Sequence, residues 1–264
     1  GSEGQGISAM FQMMNTARIF TGLIGLSLSG AAYENAKTYA HERVQGTNIS
    51  KTRDLNTNRV SIIEHPAVRL NLINMKSRVE AMRALLYYTA LQFDLERIAE
   101  TEKEKENRQN MIDLLTPMCK GWCTEVGLEV VQAGLQVMGG VGYTKDFPLE
   151  QLYRDARIST IYEGTTDIQA LDLIGRKILR NDGALFQQLM GHYSELINEH
   201  KDHQEMGQLI NIFEGYCESL YETSMSTQQI LKERGMESIA LYATPFLMFI
   251  SSVTAGWLLL QQAV

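Results

Sequence analysis

Proline is nearly absent from this chain: four in 264 residues, at Pro66, Pro117, Pro148 and Pro245. Proline removes a backbone donor and clashes with the preceding turn, so its scarcity leaves room for unusually long helices. The apolar spacing agrees. Ile7, Met10, Phe11 and Met14 fall at i, i+3, i+4 and i+7, which predicts an amphipathic helix running on to about Val44. Gly46, Thr47 and Asn48 mark a loop, and the stretch from Thr47 to Glu64 is polar and irregular. Pro66 sits where a first-turn proline is tolerated. Behind it, Val68, Leu72, Met75, Val79, Met82 and Leu86 form one stripe, with Lys76, Arg78, Glu80 and Arg83 elsewhere on the wheel. The run Glu100 to Arg108 reads as a solvated helix end or loop.

A third helix is expected from Gln109 to Val137, bent near Pro117. The Gly139-Gly140-Val141-Gly142 break follows. Next come a short helix from Pro148 to Arg157, an extended link over Ile158 to Tyr162, and a helix from Thr165 to Leu179. Asn181-Asp182-Gly183 marks the best internal boundary. Beyond it, Met206, Leu209, Ile210, Phe213, Cys217 and Leu220 make a second stripe, and Gly235 precedes an uncharged last helix. No β-strand and no internal repeat is expected. The fold class is all-α: an up-down helical bundle over residues 1–182, then a smaller helical extension over 183–264.

Hydrophobic residues make up 44% of the chain and charged residues 21%, the balance of a globular protein with a real core. The net charge of -7 argues against general nucleic-acid binding, which needs a basic footprint. Cys119, Cys123 and Cys217 are too few and too scattered for a disulfide framework. Cys119 and Cys123 share a helix face and read as small buried residues. No clustered ligand spacing points to a metal. No signal-peptide pattern is seen, and a reducing, cytoplasmic setting is expected. Ile239 to Leu260 is long enough to span a bilayer but carries Thr244, Pro245, Ser251, Ser252, Thr254 and Gly256 without a basic flank. It reads as a buried bundle helix rather than a membrane insertion, with peripheral membrane contact the lesser alternative.

The residues that draw chemical attention surround Glu163. It stands at a chain break before a helix. Gly164 beside it removes a side chain and lets a ligand approach the backbone. Thr165 or Thr166 can cap the helix, and Asp167 in its first turn suits the helix dipole. A carboxylate so placed acts as a base if bound substrate excludes water, although capping or solvation is the commoner fate of such a residue. Gly139 and Gly140 form a turn that a phosphate or a flavin can approach, and equally a turn that simply ends a helix. Arg18 and Arg43 on the first helix are bidentate phosphate partners in kind, and by spacing alone surface charges.

Taken together, the strings Gln136-Val-Met-Gly-Gly-Val-Gly-Tyr143, Pro148-Leu-Glu-Gln-Leu-Tyr-Arg-Asp-Ala-Arg157 and Ile161-Tyr-Glu-Gly-Thr165 resemble the acyl-CoA dehydrogenase family. They match that family's C-terminal domain in order and spacing. Arg43-Val-Gln-Gly46 resembles its Arg-x-x-Phe-Gly, with Gln45 in place of Phe. Met10-Phe-Gln-Met-Met-Asn-Thr-Ala-Arg18 and Ile63-Glu-His-Pro-Ala-Val-Arg69 look like the branch with longer chains and an extra helical domain, that of long fatty acyl-CoA and methylmercaptopropionyl-CoA dehydrogenases.

The resemblance implies α,β-dehydrogenation of an acyl-CoA with FAD as cofactor. In it Glu163 takes the α-proton, and its backbone N–H helps to hold the thioester oxygen. It implies that Arg43, Gln136, Gly139 and Gly140 contact the FAD of a neighbouring subunit, and that Thr165 and Asp167 lie near the subunit's own. Asp167 departs from the Gln often found there. Arg18 lies along the CoA, Asn15 stands where many members have Asp at the pantetheine, and Tyr162 and Gly164 border the acyl group. An electron-transfer flavoprotein is the expected acceptor and a homodimer or homotetramer the expected assembly. The family's other domains are not in these residues, so the chain on its own is expected to be inactive and to hold FAD poorly. Two alternatives stay open: a flavin-binding relative without dehydrogenation, of the kind linked to alkylation damage and DNA, and a purely structural assembly role.

Overall fold

The computed structural model describes residues 2–51, 56–179 and 183–264, apart from the side chains of residues 8, 9, 11 and 12. Phe11 of the expected first stripe, part of the expected 47–64 loop, and Asn181 and Asp182 of the expected boundary therefore lie outside the described residues. Three long helices dominate: α1 (Gly6–Glu42), α2 (Pro66–Arg97) and α3 (Glu102–Met138). At 37 residues, α1 and α3 are each roughly 55 Å long. Then follow α4 (Leu149–Ser159), α5 (Thr166–Asp172), a π-helical stretch (Leu173–Ile178), α6 (Ala184–His200), α7 (Gly207–Arg234), α8 (Met236–Ala240) and α9 (Ala243–Ala263).

The helical expectations hold in kind. Leu72, Met75, Val79, Met82 and Leu86 are all buried, the stripe that places α2 against its core. α3 starts earlier than expected: the Glu- and Lys-rich run forms its exposed first turns, with Glu102 and Glu104 favourably at the N-terminus. Pro117 lies inside α3 without ending it.

Three expectations are corrected. Two short strands exist, β1 (Val44–Thr47) and β2 (Arg59–Ser61), paired antiparallel with an irregular register. They are too short and too exposed to leave an alternating pattern. The link before Tyr162 is not extended, because α4 continues through Ile158 and Ser159 and the chain then turns. The helix after Thr165 widens into π geometry at Leu173.

The chain falls into two compact units: Ile24–Glu80 with Thr124–Ser159, and Gly1–Leu23 with Ala81–Cys123 and Thr160–Val264. Within the first, Ala32, Val131 and Ala156 form a buried cluster over which Leu28, Leu128 and Leu152 pack. Within the second, the rings of Tyr88, His192 and Tyr193 gather around Trp257, and Phe213 packs edge-on against Tyr193. Ile210, Phe213, Cys217 and Leu220 face inward from α7, while Leu209 is exposed.

Among the described residues α9 is the one helix long and apolar enough to cross a membrane, and 56% of its most apolar window is buried in the protein. Its polar groups are also engaged there. Trp122 Nε1 donates to Ser252 at 3.1 Å, and the Tyr193 and Thr254 hydroxyls lie 2.7 Å apart. The three cysteines are buried free thiols. Burial pushes the Cys119 and Cys217 thiols up to about 12, so they stay protonated and poorly nucleophilic.

Candidate functional site

Between α4 and α5 the chain passes through a turn over Thr160 to Thr165, and Glu163 lies within it. It is the non-glycine residue with positive φ among those described, at 59°, followed by Gly164 at 91°. Such a backbone costs an L-residue about 1–2 kcal/mol and persists only when its surroundings hold it. Two buried side chains do so. Gln169 Nε2 donates to the Glu163 carbonyl at 3.3 Å, and Lys120 Nζ donates to the Thr160 carbonyl at 3.1 Å. Both Gln169 and Lys120 are fully buried. A Cβ on residue 164 would come within 2.7 Å of Gln169 Nε2, so glycine serves there both for its φ and for the room it leaves. Glu163 Oε2 is buried and accepts no hydrogen bond from the protein.

The expected threonine cap is not made. Thr165 occupies the N-cap position without a side-chain bond. Thr166 is buried and its hydroxyl turns back to the Thr160 carbonyl at 3.5 Å. Asp167 is exposed and instead accepts a hydrogen bond from the Thr244 hydroxyl of α9.

Arg18 decides between the two readings that its spacing left open. It is not a surface charge but only 8% exposed, with Nη1 3.8 Å from Asp172 at the end of α5. Its Nε is buried without a hydrogen-bond partner. Asn15, one turn earlier on α1, is half-buried and on the same face. Tyr162 is exposed beside Glu163. Arg18, Tyr162, Glu163, Gly164, Thr165, Asp167 and Asn15 all belong to one compact unit.

Arg43, Gln136, Gly139 and Gly140 belong to the other, where they line a single cavity of about 660 Å³ with Gln45 and His65. Gln45 and Gly46 of β1, with Ile62 and His65 after β2, form part of its wall: Ile62 N donates to the Arg43 carbonyl at 2.8 Å, and His65 Nε2 sits 2.8 Å from the Gln45 carbonyl. Gly139, at φ 63°, ends α3, and open space lies where a Cβ would stand on it or on Gly140. The backbone there is bare toward the cavity.

Gln169, Lys120, Asp172 and His65 escape sequence reasoning. Gln169 and Lys120 stand at helix positions whose burial only the tertiary packing reveals. Among the described residues no group of three or more His, Cys, Asp or Glu side chains is placed to hold a metal.

The sequence model of the acyl-CoA dehydrogenase C-terminal domain matches residues 4–179. The chain is 35% identical to a 3-methylmercaptopropionyl-CoA dehydrogenase of Ruegeria pomeroyi over 97% of its own length and 43% of that protein. It is 32% identical to a broad-specificity linear acyl-CoA dehydrogenase of Mycobacterium tuberculosis over 100% of its length and 44% of that protein. Among solved structures, Caenorhabditis elegans ACDH-11 in complex with C11-CoA superposes over 100% of this chain and 42% of its own, with a TM-score of 0.85 at 20% identity, a likeness of fold. The chain thus spans less than half the length of the relatives it matches.

Proposed function

The chain belongs to the acyl-CoA dehydrogenase family, and from that membership we propose that it supplies the base-bearing, C-terminal part of a flavin-dependent enzyme that desaturates an acyl-CoA thioester between its α and β carbons. The observation that carries this reading is the Glu163 turn, with a carboxylate oxygen buried and unpartnered on a held, positive-φ backbone. A carboxylate oxygen without donors keeps its lone pairs free to take a proton from a bound carbon acid.

In this reading the α C–H bond breaks toward Glu163, which takes the proton, and the electron pair moves into the forming double bond. The Glu163 backbone N–H is the group that stabilises charge on the thioester oxygen. FAD, when bound, supplies the acceptor for the hydride that leaves the β carbon. The residues fit such a dinucleotide. Arg43 and Gln136 offer a cation and an amide beside the bare backbone of Gly139 and Gly140, in a cavity of suitable size. Thr165 and Asp167 are the corresponding candidates next to Glu163. Arg18, 3.8 Å from Asp172, and Asn15 are assigned to the CoA moiety, and Tyr162 and Gly164 to the acyl end.

An electron-transfer flavoprotein as onward acceptor, a homodimer or homotetramer, and a cytoplasmic location complete the proposal. The burial of α9 and the internal bonding of its hydroxyls support a protein that does not insert into a membrane. The test is an anaerobic titration of the full-length flavoprotein with acyl-CoAs of graded length. Bleaching of the oxidised flavin band by one of them is expected. A flavin that no acyl-CoA reduces refutes the proposal.

A further inference from the structure

Gln169 is an expensive residue in its place. It is completely buried on α5, and its Oε1 has no hydrogen-bond partner. Burying an amide with an unsatisfied acceptor destabilises a fold, and an apolar side chain of the same shape is generally tolerated better there. What its amide does make is the bond to the Glu163 carbonyl. Gly164 is shaped around that bond, since a Cβ there would press on the same Nε2. Gly121 of α3 packs against the same side chain, where an added Cβ would stand in ordinary contact, 3.4 Å from the Gln169 Cβ. The far end of the turn is held by Lys120 on Thr160.

We propose that Gln169 is a positioning residue for Glu163: its buried amide fixes the Glu163–Gly164 peptide and thereby the direction in which the carboxylate meets the substrate. The inference rests on Glu163 acting as the base. Without the amide, the two consecutive positive-φ residues lose the contact that fixes their carbonyl, and the carboxylate samples directions that do not face the α carbon. Misplacement of a reacting group by about 1 Å costs on the order of a hundredfold in rate.

The experiment uses the full-length, FAD-loaded protein with Gln169→Met, which keeps the length of the side chain and removes both polar atoms. The expected result is a kcat per bound flavin lowered about 10- to 100-fold. KM should change little, the melting temperature should be unchanged or raised, and amide hydrogen exchange should be faster in peptides covering residues 158–168. Tyr193→Phe, which removes a buried hydroxyl contact with Thr254 outside the turn, is the control: it lowers the melting temperature and leaves kcat per flavin alone. A Gln169→Met enzyme with a lower melting temperature and an unaltered kcat per flavin overturns the proposal, because the amide is then only structural. If that variant does not fold, Gln169→Leu, which also removes both polar atoms and leaves Gly164 intact, decides: kcat must fall with FAD content retained, and an unaltered kcat overturns the proposal. A Glu163→Gln enzyme that still reduces its flavin sinks the base assignment instead, so the two failures are distinct.

Discussion

The Thr244 hydroxyl, in the first turn of α9, donates a hydrogen bond to the Asp167 carboxylate in the first turn of α5. The last helix thereby touches the helix that begins right after the Glu163 turn. The bond is exposed, so its removal by Thr244→Val should cost about 1 kcal/mol or less. Thermal unfolding should show a decrease of no more than about 2–4 °C. A much larger loss would mean that α9 anchors α5 chiefly through this one bond.

Arg18 and Asp172 form a mostly buried pair whose partners are unequal. Asp172 also meets Arg176 at 3.4 Å, whereas Asp172 is the acid found within ion-pair distance of Arg18 among the described residues. Losing Asp172 leaves a buried cation unpaired, and losing Arg18 leaves an anion with a second partner. Asp172→Asn should therefore destabilise more than Arg18→Met, by up to about 3 kcal/mol for the former. Urea unfolding of both variants measures the order, and a reversed order would contradict it.

The buried thiols make a pH prediction. Desolvation raises Cys119 and Cys217 from 9.0 to about 12. Above pH 9 the unfolded chain releases these protons while the folded chain keeps them, so stability is fully present below pH 9 and falls as pH rises toward 12. The slope for each thiol is about 1.4 kcal/mol per pH unit over that window. Urea midpoints compared at pH 8 and pH 10 should fall less in Cys119→Ala than in wild type. Equal slopes would remove Cys119 from the explanation.

Packing at Gly121 gives a steric prediction. A Cβ there would come within 2.5 Å of Leu247 Cδ2 of α9, the mobile end of a side chain. Gly121→Ala gains about 1 kcal/mol of helix propensity, which offsets part of the cost of displacing Leu247, so the net loss should not exceed about 1 kcal/mol. Pairing it with Leu247→Ala should recover part of that loss in a double-mutant cycle, and strict additivity would show that the two positions do not meet.

What the sequence discloses and what it hides follow from the same physics. The α2 stripe from Leu72 to Leu86 is legible because burial on one helix face imposes a 3.6-residue period, and the structure buries those residues. Glu163 is conspicuous through its motif and the glycine after it. The strands at Val44–Thr47 and Arg59–Ser61 are invisible because short exposed segments need no alternation. Arg18 looks like a surface charge because nothing local announces Asp172, 154 positions further along the chain. Gln169 and Lys120 are hidden for a related reason. Each is a buried polar residue that donates to a carbonyl of the turn, six positions away for Gln169 and forty for Lys120, and only the folded turn at Thr160–Gly164 shows what those bonds hold.

The central claim is that Glu163 removes the substrate's α-proton. Stopped-flow flavin reduction in the full-length enzyme, wild type against Glu163→Gln, with the acyl-CoA that bleaches it best, tests this most directly. Rapid loss of the oxidised flavin band is expected in wild type, with a reduction rate lowered by at least about a thousandfold in Glu163→Gln while FAD content stays intact. Equal reduction rates in the two proteins would contradict that claim.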